Sequence, residues 1–234
     1  MKKIITACAL CATMLTGISV PATTNVKAEV IQTKKTKQSN NGLKIIDSGY
    51  YVVPANEYID TAYVHYWAKV KNMDKKRSIQ FPVITATAKD DAGKVLGSAS
   101  QTGFSIAPKD TVVLTSQMDT GNTAATTVDI KVKKPKYSSA KVVSSKSFKV
   151  DNISTVPDEN YMDKVTGELT YSGKKDLDMV AITAIYKSGD KSVFAETSFL
   201  DNVEGKSTES FEVQPLTTAF PEYDNVEVYV QNWG

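Results

Sequence analysis

The chain has 234 residues, 41% of them hydrophobic, and 28 basic side chains against 26 acidic ones, a formal net charge of +2. So even a balance excludes the continuous positive face that a phosphate backbone requires, and Arg77, the only arginine, leaves few forked donors for guanine edges or phosphates. Nucleic acid is therefore not an expected partner.

Residues 1–28 read as an export signal. Lys2 and Lys3 form a positive start, Ile4 to Val20 an apolar run too short and too rich in small residues to span a membrane, and Val26-Lys27-Ala28 a small-x-small cleavage pattern before Glu29. Ile5-Thr6-Ala7-Cys8 has the form of a lipidation box, but only two apolar residues separate Lys3 from Thr6. An apolar region of roughly 7 to 15 residues is needed, so cleavage is expected and lipidation at Cys8 is not. Cys8 and Cys11 both leave with the signal, and the mature chain has no thiol for a disulfide, a metal or a nucleophile. Its domains must stand on packing alone.

Residues 29–42 are polar and lysine-rich without periodicity, which predicts a flexible stalk. Beyond them the chain repeats itself. Val53-Pro54-Ala55-Asn56-Glu57-Tyr58-Ile59-Asp60 returns as Val156-Pro157-Asp158-Glu159-Asn160-Tyr161-Met162-Asp163, Ile84-Thr85-Ala86 as Ile182-Thr183-Ala184, and Val128-Asp129-Ile130 as Val226-Glu227-Val228. The last two pairs share an offset of 98 residues, as two copies of one folding unit do. Residues 43–132 form the first unit, 133–140 a basic linker stiffened by Pro135, and 141–234 the second unit.

Within each unit the periodicity is two. Val64, Tyr66, Ala68 and Val70 alternate with His65, Trp67, Lys69 and Lys71, and Val165, Gly167, Leu169 and Tyr171 alternate with Thr166, Glu168 and Thr170. Asp90-Asp91-Ala92-Gly93-Lys94 and Ser188-Gly189-Asp190-Lys191 supply hairpin turns. The pattern predicts an all-β protein of two tandem immunoglobulin-like antiparallel sandwiches, each of seven strands. Val70, Ile84, Ile130, Leu169, Ile182 and Val228 are its predicted core.

Each unit resembles the FxLYD domain of bacterial envelope proteins. The motifs are Tyr66-x-Ala68-x-Val70-x-Asn72, Ile84-Thr85-Ala86 and Gly93-Lys94-Val95-Leu96-Gly97 in the first unit. The second carries Gly167-x-Leu169, Ile182-Thr183-Ala184-Ile185-Tyr186 and Gly189-Asp190-Lys191. Ala88 stands in the first unit where the second has Tyr186. The resemblance implies an immunoglobulin-like fold at the cell surface and supplies no catalytic residues.

Three groups of residues are candidates for function. His65, the only histidine, lacks a Gly-x-Ser-x-Gly elbow or a second metal-ligating imidazole, and reads as a surface side chain. Asp158, Glu159 and Asp163 are candidate calcium ligands, though their spacing matches no EF-hand loop and reads equally as a solvated acidic loop. Tyr63, His65 and Trp67 project from one face of their strand, and Thr166 replaces Trp67 in the second unit. A residue that the second copy does without is not required by the sandwich itself. The row is therefore an expected exposed binding platform, the alternative being that Trp67 covers a neighbouring loop or the linker. The reading is a secreted, non-enzymatic module without cofactor that binds an extracellular protein or cell-wall component. Its rival is a carbohydrate-binding accessory or a hydrolase that uses the aromatic row or the acids of the second unit.

Overall fold

A computed structural model describes residues 39–40, 42–56, 59–159, 161–215, 217 and 220–233. The expected signal, residues 1–28, and most of the expected stalk lie outside the described residues. Of the stalk, Ser39–Asn40 forms a short strand (β1) that pairs with the next one.

The first half continues with β2 (Leu43–Val53), β3 (Ala62–Asn72), β4 (Ser78–Gln80), β5 (Val83–Lys89), β6 (Val95–Thr102), β7 (Thr111–Gly121), β8 (Thr127–Val132) and β9 (Lys136–Ser138). The second half has β10 (Phe148–Val156), β11 (Lys164–Tyr171), β12 (Leu177–Ser188), β13 (Lys191–Val203), β14 (Thr208–Val213) and β15 (Asn225–Asn232). All pairings are antiparallel, and the described residues contain no α-helix, hence none long and apolar enough to cross a membrane.

The repetition in sequence is a repetition in topology. The sheets β1-β2-β3-β7 and β6-β5-β8 of the first half correspond to β10-β11-β14 and β13-β12-β15 of the second. Each half is an antiparallel, immunoglobulin-like sandwich with six principal strands rather than the expected seven. The alternation in β3 has its physical meaning here. Val64, Tyr66, Ala68 and Val70 turn inward with Ile84, Ala86, Ile106 and Ile130 to form the first core. Val165, Leu169, Ile182, Ala184 and Phe211 belong to the second. Five of the six predicted core residues are 3% exposed or less, while Val228 is only half-buried.

Loops are tied down by polar side chains placed where the ladder ends. Asn72, buried at the end of β3, donates from Nδ2 to the carbonyls of Arg77, Ile106 and Ala107, and its Oδ1 accepts the Asp74 amide. The segment expected to be an exposed linker is largely built into the first half. Lys136–Ser138 pairs with Ser78–Gln80, Pro135 is buried, and the Tyr137 ring lies 3.9 Å beneath the Arg77 guanidinium. A strand with one apolar face seals an open sandwich edge better than it serves as a tether. Beyond it, the Asp110 carboxylate accepts from the Ser145 amide at 2.7 Å and from the Ser144 hydroxyl at 3.0 Å, fixing the entry to the second half.

Candidate functional site at the seam between the sandwiches

Strands β2 and β12 contain unbroken buried runs, Ser48–Val53 and Val180–Tyr186. Alternation would leave every second residue wet unless both faces of the sheet were covered. They are covered by each other. The outer face of β2-β3-β7 packs on the β13-β12-β15 sheet, so that Tyr51, Val53, Trp67 and Val113 share one apolar cluster with Ile185, Phe194 and Ala195.

Polar pairs mark the same seam. Ser192 donates to Asp47 at 2.6 Å, and the hydroxyls of Thr115 and Thr197 lie 2.9 Å apart, with Thr197 a further 2.8 Å from Thr183. The Lys69 ammonium bonds the Tyr229 hydroxyl and stands 3.7 Å from Glu227, whose other carboxylate oxygen accepts from Lys187 at 2.7 Å. The Lys187 hydrogen bond, above all, holds the Glu227 carboxyl below its ordinary pKa.

This packing corrects the expected platform. Trp67 is 1% exposed and belongs to the seam. Its indole lies over Gly49, its cross-strand partner, where a Cβ would come within 2.2 Å of Cζ2, so only glycine leaves room for the ring. His65 and Tyr63 are half-buried. The His65 ring lies 5.3 Å from both Tyr63 and Phe194, and burial pushes its pKa down to about 4, so the imidazole is neutral at pH 7. Together with Gln117, Glu196 and Gln214 these two residues border a groove of about 510 Å³. Burial also raises the Glu196 pKa, partly opposed by the Thr197 amide at 3.0 Å. Alternation correctly assigned the three side chains to one face but carried no information about what covers it.

The acidic candidates do not converge. Asp158 accepts the Tyr161 amide at 3.0 Å within its own loop, Glu159 is exposed, and the Asp163 carboxylate accepts the Tyr223 hydroxyl at 2.5 Å. No group of three His, Cys, Asp or Glu side chains is arranged to hold a metal ion among the described residues.

A site that sequence reasoning missed opens elsewhere along the seam. The end of β6 and the loop after it bring Gln101 and Phe104, β7 brings Val113 and Thr115, β13 brings Thr197 and Phe199, and the β15 end brings Gln231 and Trp233. They line a cleft of about 220 Å³. Phe199 and Trp233 remain 45% and 39% exposed, with rings edge to face at 4.8 Å, and Phe104 touches Trp233 from the first half. Gln231 is 8% exposed, and its buried Nε2 has no hydrogen-bond partner. The available signal was weak: Phe199 stands out in the otherwise polar run Thr197-Ser198-Phe199, but residues from four elements meet only through the packing of two sheets.

No protein-family model matches the chain, and no curated protein matches it. Among solved structures, it aligns with the N-terminal CBM22-1-CBM22-2 tandem domain of Paenibacillus barcinonensis Xyn10C over 88% of this chain and 90% of that one. The identity is 8% and the TM-score 0.14, values at which the likeness carries no argument.

Proposed function

We propose that the chain is an exported, non-enzymatic binding module of the bacterial cell envelope, and that it recognises an extracellular protein or wall component at the cleft between its two sandwiches. One observation carries the reading: two exposed aromatic rings, Phe199 and Trp233, line one cleft with Gln231, whose buried amide nitrogen has no partner inside the chain. Exposed aromatics beside a few converging polar groups are the makings of a recognition site. Export is supported by the lysines, apolar run and cleavage pattern of residues 1–28. A non-catalytic role fits the engagement of Asp158 and Asp163 with nearby loop groups.

The test is co-sedimentation of the purified protein with an isolated envelope fraction. The native chain should sediment with it, and Trp233→Ala should lose most of that binding while still unfolding in a cooperative transition, with a melting temperature lowered only by the loss of the Phe104 and Phe199 contacts. Equal binding by the variant would remove the cleft from the proposal.

A further inference from the structure

The cleft is specific about what it would accept, and the inference that follows rests on the binding reading above. None of its lining residues is charged: Gln101, Thr102, Thr115, Thr197 and Gln231 are its polar side chains, beside Phe104, Phe199 and Trp233. A cation or anion entering would give up hydration without gaining a counter-charge, so the fitting ligand is neutral. At about 220 Å³ the cleft also lies below the roughly 300 to 1,000 Å³ of pockets for drug-sized ligands, which leaves room for one ring-sized group with the rest of the ligand outside.

The lining specifies that group further. Gln231 lines the cleft and its buried Nε2 has no acceptor in the chain, so an acceptor oxygen on the ligand would satisfy it once the side chain turns toward the opening. Trp233 and Phe199, set edge to face, are 39% and 45% exposed, and that open apolar surface suits the C–H side of a ring. Val113 and Ala181, also on the lining, suit a small methyl group. An N-acetylated pyranose joins a C–H face, an amide carbonyl and a methyl group without charge.

We propose that the cleft binds a single N-acetylhexosamine residue of a glycan, its ring against Trp233 and its acetamido carbonyl accepting from Gln231 Nε2. Cleft and ligand are then matched donor to acceptor, and the two sandwiches bind jointly, because Phe104 and Val113 come from one half and Phe199, Gln231 and Trp233 from the other.

The experiment is titration calorimetry of the purified protein with tetra-N-acetylchitotetraose, its de-N-acetylated counterpart, cellotetraose and a proline-rich decapeptide. Saturable binding of the acetylated oligomer alone is expected, weakened at least tenfold by Gln231→Leu, which keeps the side-chain size and removes the donor. The melting temperature of that variant should not fall. Equal binding of cellotetraose, unchanged affinity in Gln231→Leu, or binding of the peptide alone would overturn the proposal. If no oligomer binds while Trp233→Ala still abolishes envelope sedimentation, the sugar assignment fails and the binding-module reading stands; if sedimentation is also absent, both fail.

Discussion

Trp67 is buried at 1% exposure, whereas Thr166, its counterpart, is only half-buried. The sandwich does not need the tryptophan, since Thr166 occupies the equivalent place, yet in the first half its indole is enclosed between two sheets. Trp67→Thr therefore removes a large buried ring, and the loss should be roughly 3 to 5 kcal/mol, read as a fall in denaturation midpoint. His65 gives the seam a pH dependence. Its folded-state pKa of about 4 lies below the ordinary 6.5, so between those values the unfolded chain binds more protons than the native one. Stability should fall as pH drops from about 7 toward 4, by on the order of 3 kcal/mol, and then level off. The raised pKa of Glu196 works in the opposite direction, because the native state takes up its proton first. Urea unfolding at pH 7 and pH 4 should show a smaller difference in His65→Gln than in the native chain; an equal difference would place the acid sensitivity elsewhere.

At the level of strands, periodicity was a sound guide to faces and a poor one to partners. The alternation of Val64, Tyr66, Ala68 and Val70 identified the inward face of β3, and the turns around Gly93 and Gly189 fall between paired strands. Truncating Ile84 or Ile182, 0% and 1% exposed, to alanine should cost roughly 2 to 5 kcal/mol in equilibrium unfolding. Lys136-Tyr137-Ser138 shows the limit. Its lysine-rich, proline-marked neighbourhood has the composition of a connector, and what makes it a strand is the edge of Ser78–Gln80 presented by a distant part of the chain. The aromatic cleft was illegible for the same reason: Phe104, Phe199 and Trp233 are brought together by sheet packing, which no local pattern encodes. Duplication was legible because both copies must solve the same folding problem.

The whole molecule should behave as one thermodynamic body, because its two cores are joined by the cluster that contains Tyr51, Trp67, Ile185 and Phe194. Calorimetry of the intact chain is expected to give a single transition. Trypsin at exposed Lys141 should yield two fragments that co-elute in gel filtration, and separation on nicking would show that the seam is weaker than its burial implies.

The seam also joins unlike surfaces. The first sheet of one copy meets the second sheet of the other, a head-to-tail relation that has no built-in end, since each copy presents outward the counterpart of what its neighbour has buried. Chemistry supplies the end. On the free sheet of the second copy, Thr166 stands where Trp67 does and bonds Ser154, while Thr170 bonds Thr208 and Lys164 pairs with Glu212. On the free sheet of the first, Thr87 stands where Ile185 does and bonds Ser98, and Lys89 pairs with Asp129. These polar groups are paired within their own sheets, so a third unit gains little by docking on them. Polar termination of this kind keeps a two-membered stack from extending into a fibre, much as capping units close a solenoid.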